Sequence, residues 1–199
     1  MSNNKRDIVL IGGGGHCKSC IDVIEQSNDF KIIGILDVAE KVGSDVSGYT
    51  IVGEDKDLDM FNAQTTSFLI TIGQIHSSEK RKEIAEILNQ KKLLQPIIVS
   101  PRAYVSKNSV IKKGTIIMHD AIINAGATVG ENCIINSKAL IEHDVIVGNN
   151  CHISTGAIVN GHSKIGEDVF IGSNSTIVNN ISVKEKSFIK AATLVKKTI

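Results

Sequence analysis

The residues best suited to chemistry lie in the second half of the chain: His143 between Glu142 and Asp144, and His152 a little further on. An imidazole beside a carboxylate is a proton acceptor whose basicity and ring orientation the carboxylate sets. Residues alternate faces on a strand, so Glu142 and Asp144 cannot both reach His143. His143 reads as a general base. His152 reads as a residue near a corner, pointing outward, able to donate a hydrogen bond to an oxyanion or a thioester carbonyl. Of the remaining histidines, His119 reads as a surface residue and His76, before a helix, as a local cap, while His162 beside Gly161 has no assigned role. Cys17 and Cys20 form a C-x-x-C with no second such pair, in the opening turns of an expected helix, and read as structural.

These side chains are positioned by an exact repeat. From Val99 to Val195 every sixth residue is Ile or Val, seventeen times without a slip. A period of six fits neither a helix nor an ordinary strand bounded by loops; it predicts a parallel β-helix in which each aliphatic points into a narrow prism. The fourth residue after each aliphatic is usually small (Ala121, Ala127, Cys133, Ala139, Cys151, Ala157), and Asn, Asp and Gly suit corners where φ is positive. Three such hexads make one triangular coil, so residues eighteen apart stack. Ala125 then precedes His143 and Gly161 follows it, which leaves the imidazole between two positions with almost no side chain.

The first half reads as α/β. Strands are expected at Asp7 to Ile11, Lys31 to Leu36, Thr50 to Val52 and Phe68 to Ile72, with helices from His16 to Gln26 and from about Ser78 to Asn89. Pro96 and Pro101 bracket the passage to the repeat, so the domains are placed at residues 1–95 and 96–199. Strand, glycine turn and helix make an anion site, because unpaired amides and a glycine backbone admit a phosphate. In the G-x-G-x-x-G register from Gly12, Cys17 replaces the third glycine, and the domain is short. A nucleotide-linked substrate is preferred to NAD; a plain turn and a nicotinamide-dependent oxidoreductase are the other readings.

A formal charge of +1 over 199 residues, without a long basic cluster, argues against nucleic acid as a partner. No segment reaches the roughly 20 apolar residues that span a membrane. A cytoplasmic protein with no membrane partner and no metal is expected.

The segments IGGGGHCKSCIDVIE, ILD, TIG and IEHDVIVGNNCHISTGAIVNGHSKIGEDVFIGSNS resemble, over essentially the whole chain, the sugar acetyltransferases of the PglD/NeuD type. The resemblance implies a Rossmann-like α/β domain followed by a left-handed parallel β-helix, assembled as a homotrimer, with acetyl-CoA as co-substrate. It implies His143 as base, Asp144 as its neighbouring acid and His152 near the acetyl group. It places the acetyl-CoA slot at His152, Gly161, Ser173 and Ala191, and nucleotide-sugar contacts at Gly14, Gly15, His16, Asp37 and Gly73. Val38 stands where some members carry a second acid, and the VKKTI ending in place of a G-x-P-A-K-like segment implies either that part of the CoA-binding tail is missing or that Lys196 and Lys197 meet phosphates instead.

The implied reaction is direct acetyl transfer in a ternary complex, with the acetyl-CoA arm in a groove between neighbouring rods and the small domain delivering the sugar. The expected acceptor is a UDP- or dTDP-linked 4-amino-4,6-dideoxyhexose for surface-glycan or O-antigen synthesis. The alternatives are a sialic acid O-acetyltransferase and a non-catalytic trimeric scaffold that binds a nucleotide.

Overall fold

A computed structural model describes residues 5–199. The chain divides into two compact units, one of residues up to 73 plus 80–96, the other of 74–79 plus 97–199. The short segment 74–79 thus leaves the first half of the sequence for the unit that contains the repeat.

In the first unit, strands β1 (Arg6–Ile11), β2 (Phe30–Asp37), β3 (Asp45–Val46), β4 (Tyr49–Glu54) and β5 (Ser67–Ile70) form one sheet in the order β3-β4-β2-β1-β5. All pairs are parallel except β3 with β4. Helices α1 (Gly15–Ser27) and α2 (Glu79–Gln90) supply the apolar stripes Cys17, Cys20, Ile21, Ile24 and Ile84, Ala85, Leu88. Strand β5, at the sheet edge, is buried throughout and β1 is buried from Ile8 to Ile11, as parallel strands covered on both faces must be. Arg81 is buried, and its guanidinium donates to the carbonyls of Ile70 (3.0 Å) and Ile72 (2.7 Å), fixing the end of β5.

The second unit is the left-handed β-helix. Seventeen two-residue strands, from Ile98–Val99 to Leu194–Val195, stack into three parallel sheets in which every partner lies eighteen residues away. The second residue of each strand is the repeated Ile or Val, and from Ile117 to Val195 all of them are buried in one continuous core. The small residues beside them do more than fit. Thr115, Cys133, Cys151, Ser163 and Ser175 each donate to the carbonyl fifteen residues further on, at 2.7 to 3.1 Å. The hydroxyls and thiols are thereby buried without an unsatisfied polar atom.

The corners have a period of their own. From Gly114 to Ala192 every sixth residue has φ between +54° and +76°, an uninterrupted series of fourteen. Three are Gly and seven are Asn or Asp, the types that visit this region at least cost; Lys138, His162, Lys186 and Ala192 carry the full Cβ penalty. Among the described residues no helix is long and apolar enough to cross a membrane.

Two changes should move stability in opposite directions, measured by urea unfolding at fixed protein concentration. Ile153→Ala removes a fully buried side chain and is expected to cost about 3 kcal/mol. Lys138→Gly relieves an exposed left-handed corner and is expected to gain up to about 1 kcal/mol, the remainder being offset by glycine's chain entropy.

Candidate active site

His143 and Asp144 are not strand residues. They form the turn after the strand Leu140–Ile141, and Asp144 has φ +60°. One of the two flanking acids reaches the imidazole, as expected, but through a turn rather than a strand: the left-handed residue turns its carboxylate back toward its neighbour, and His143 Nδ1 lies 2.9 Å from Asp144 Oδ2. Glu142 is held elsewhere, accepting from Asn124 Nδ2 at 2.9 Å and from the His143 amide at 3.3 Å. A carboxylate at Nδ1 keeps that nitrogen protonated and leaves the lone pair on Nε2, the arrangement of a general base.

Two glycines make room for this pair. A Cβ at Gly161, one coil on, would lie 2.6 Å from His143 Cε1 and Nε2. A Cβ at Gly126, one coil back, would lie against Asp144 Oδ1. Gly161 therefore does not leave empty space beside the imidazole, as the sequence suggests; the ring lies over it. The ladder bond from the His162 amide to the His143 carbonyl (3.1 Å) keeps the two coils in register. His143 and Asp144 are each about half exposed, with side-chain accessibilities of 52% and 51%.

His152 differs from its sequence reading. It lies within the strand His152–Ile153, not at a corner, and is buried at 7% exposure. Its Nδ1 donates to the Gln74 carbonyl, its Nε2 accepts from Asn136 Nδ2 at 3.1 Å, and its ring meets Phe170 edge-on. The segment 74–79 covers this face of the prism: Gln74 Nε2 donates to the Asn150 carbonyl (2.8 Å), Ser78 to Asp168 (2.9 Å), and His76 stacks on Phe188. His76 is thus a stacking residue rather than a helix cap, and Ser77 Oγ accepts the Glu79 amide at 3.1 Å just before α2. His119 is half-buried, its Nδ1 2.6 Å from Ser100 Oγ.

The repeat-borne residues do not meet in one prism. His143, Asp144 and Gly161 share the corner between the sheet of Ile141 and that of Val147; His152 lies in the third sheet, on the opposite side. Ser173 and Ala191 stack at another corner, where Ser173 Oγ lies 3.0 Å from Ser154 Oγ and the Ser173 carbonyl accepts the Ala192 amide. Gly126, which makes room for Asp144, lies in the six-residue corner series one coil before it, while Asn136 and Gln74, which touch His152, have no motif that marks them in the sequence.

In the first unit the glycine turn follows β1. Gly12 has φ +105° with Ile72 directly against it, and its carbonyl accepts from Thr71 Oγ1 at 2.7 Å. Gly14 is the N-cap of α1 without a side-chain cap, the first turn holds no acidic residue, and the space beside Gly14 and Gly15 is open. His16 packs near Gly73, whose Cβ would lie 3.5 Å from the His16 Cβ. The Cys17 amide donates to the Gly14 carbonyl at 3.1 Å, while the uncapped backbone at Gly14 and Gly15 suits the approach of an anion. Asp37 at the end of β2 is already engaged, accepting from the Gly13 amide (2.8 Å), the Val38 amide (2.8 Å) and Lys41 Nζ (2.9 Å). Its tie to the Gly13 amide joins it to the glycine turn. Cys17 and Cys20 are buried, and burial pushes both thiols above their ordinary range, against the opposing influence of the Thr71 hydroxyl in the case of Cys17.

Partial burial raises the Asp37 pKa, but the Lys41 hydrogen bond and the Val38 and Gly13 amides outweigh it, and the net shift is downward. A carboxyl with a lowered folded pKa stabilises the native state above its unfolded value, near 4, and loses that contribution as pH falls through the folded value. Unfolding followed from pH 6 to pH 2 is expected to show a shallower acid loss for Asp37→Asn than for the unchanged protein, with the variant less stable at neutral pH. An unchanged acid slope would mean that Asp37 does not hold the turn.

The geometry can be set beside known proteins. The PglD N-terminal domain family matches residues 7–88, the bacterial transferase hexapeptide family matches residues 108–143 and 126–161, and the hexapeptide repeat of succinyl-transferase matches 164–195. No curated protein sequence matches the chain. A solved structure of a histidine-to-asparagine mutant of perosamine N-acetyltransferase from Caulobacter crescentus, in complex with CoA and GDP-perosamine, is similar at TM-score 0.90 and 24% identity, over 97% of this chain and 90% of that one. The acetyltransferase domain of PglB from Neisseria gonorrhoeae superposes at TM-score 0.91 and 24% identity, over 98% and 93%. The same domain in complex with acetyl coenzyme A gives 0.88 and 23%, over 96% and 93%. At these identities the likeness establishes the fold. Together these matches give the chain a PglD N-terminal domain followed by bacterial transferase hexapeptide repeats, the domain pair expected from its resemblance to the PglD/NeuD-type acetyltransferases.

Proposed function

We propose that the protein transfers the acetyl group of acetyl-CoA to the amine of a nucleotide-linked amino sugar, with His143 as general base. The observation that carries this reading is the His143–Asp144 pair, an exposed imidazole whose Nδ1 meets a carboxylate at 2.9 Å and whose ring lies over Gly161. Nε2 takes the proton as the amine attacks the thioester carbonyl, and coenzyme A leaves as the thiol. No acyl-enzyme intermediate is needed, and Cys133 and Cys151 are buried in the core, where they cannot carry one.

The sugar nucleotide is the ligand of the first unit. Its phosphates suit the open, uncapped start of α1 at Gly14 and Gly15, beside His16 and Gly73. Asp37 serves that site by holding the turn through the Gly13 amide. The acceptor is a 4-amino-4,6-dideoxyhexose on UDP, dTDP or GDP; GDP-perosamine, bound in a structural neighbour, adds guanine to the nucleotides to be tried. The product belongs to surface-glycan or O-antigen synthesis in the cytoplasm.

The working form is a homotrimer. His143 and Gly161 stand at one corner of the prism, Ser173 and Ala191 at another and His152 in the opposite sheet. Only a second rod alongside the first brings such positions together, which puts acetyl-CoA in the groove between rods. Exposed outward residues of the two sheets that meet at the His143 corner, Tyr104, Ile122 and Leu194 on one and Val110 and Ile146 on the other, supply apolar surface for that contact. With both ring nitrogens of His152 engaged in its own chain, its part is to hold the Asn136 amide.

Release of free thiol from acetyl-CoA, followed with UDP-, dTDP- and GDP-linked 4-amino-4,6-dideoxyhexoses and with sialic acid, tests the reaction. Turnover with an amino sugar is expected, and His143→Ala should lower kcat by about 10² to 10⁴. Turnover with sialic acid alone moves the assignment to O-acetylation, and silence with all acceptors favours a nucleotide-binding scaffold.

Gly161→Ala separates positioning from cofactor binding. Displacing the ring should lower kcat by at least about tenfold with the KM for acetyl-CoA unchanged, whereas a residue that only lines the slot would raise KM. Light scattering should give the mass of three 21.4 kDa chains.

A further inference from the structure

The corner that carries the base holds one more imidazole, which the transfer does not use. His162 stands one coil beyond Asp144 at φ +59°, exposed, with Nε2 3.7 Å from Asp144 Oδ2. The His143 and His162 rings meet edge to face, centroids 5.1 Å apart at 83°. One ligand atom from each of His143, Asp144 and His162 lies within 4.8 Å of the others.

Two donors about 2.0–2.1 Å from a tetrahedral zinc ion stand about 3.3 Å apart. The separations from Asp144 Oδ2, 2.9 Å to His143 Nδ1 and 3.7 Å to His162 Nε2, lie on either side of that figure. Two imidazoles and one carboxylate form a borderline donor set suited to zinc, with the fourth position left to water. We infer that His143, Asp144 and His162 form a binding site for a divalent ion of the zinc class, and that the ion inhibits the enzyme rather than serving it as a cofactor.

The inhibition follows from the tautomer, and it rests on the reading of His143 as the base. In the free protein Asp144 holds the proton on Nδ1 and the lone pair is on Nε2. An ion bound at Nδ1 takes the place of that proton, which passes through solvent to Nε2. The ring remains neutral, but Nε2 now donates and cannot accept the proton of the attacking amine. Only N–H bonds are made and broken, and no oxidant or reductant is required.

The test is calorimetric titration of zinc chloride into the full chain without either substrate, together with the visible spectrum of added cobalt(II) and thiol-release rates with and without zinc. His162→Asn is the informative variant, since asparagine tolerates the left-handed corner; His162→Gln is its companion. One ion per chain is expected, with binding weakened at least about tenfold in both variants and cobalt bands of tetrahedral intensity. Zinc should inhibit the unchanged protein reversibly, while His162→Asn keeps its metal-free rate and needs about tenfold more zinc for the same inhibition.

Equal affinity in the unchanged protein and both variants overturns the site. So does an absence of binding below millimolar zinc, and zinc binding that leaves transfer untouched overturns its inhibitory role. Because binding is read without acceptor or acetyl-CoA, failure of the metal site and failure of the acetyl-transfer reading give different results.

Discussion

From Gly114 onward the solenoid depends on one backbone demand, a residue in the left-handed region at every sixth position. Each such residue turns the chain between sheets without a loop, so strands of two residues suffice and three of them close a coil. The demand is costly in L-amino acids, roughly 1–2 kcal/mol wherever glycine, asparagine or aspartate is absent. It is met because each turn delivers another Ile or Val to a dry column and another hydroxyl, thiol or methyl to the space beside it. Packing and turning are one constraint, since a coil that failed to turn would also fail to bury its aliphatics.

The candidate catalytic pair is a by-product of the same geometry. Asp144 reaches the imidazole because it occupies the obligatory left-handed position, where its side chain turns back along the chain. Strict stacking at eighteen residues then decides what lies above and below, and glycine at positions 126 and 161 leaves the volume that the carboxylate and the ring fill. The first unit follows a parallel logic with different parts. Asp37 braces its own turn through the Gly13 and Val38 amides, beside the uncapped start of α1.

Much of this is legible in the residues. The unbroken period names the solenoid, and the glycine turn and apolar runs give the strands and helices of the α/β unit to within a few residues, Phe68 to Ile72 against an observed Ser67–Ile70 being typical. That only one of Glu142 and Asp144 reaches His143 is legible in the sequence, but not the cause: alternation holds for extended backbone, and the pair sits in a turn. Gly161 is visible as a small neighbour of His143, yet smallness alone does not tell whether the space is empty or filled by the ring. The segment 74–79 escapes sequence reasoning altogether: its docking depends on the backbone carbonyl of Gln74 and the ring stack of His76 on Phe188, which no period announces. With it went the burial of His152.

Stacking at a fixed interval also restricts how the protein's length can vary. One residue inserted into a strand would turn every later aliphatic outward, and a six-residue insertion would keep the core but move all downstream side chains to the next face. Only a whole coil preserves both, and a whole coil inserted between Gly126 and Asp144 would part the carboxylate from the gap that receives it. The rod can therefore grow freely at its C-terminal end or bulge at a corner, while the stretch from Gly126 to Gly161 must keep its count.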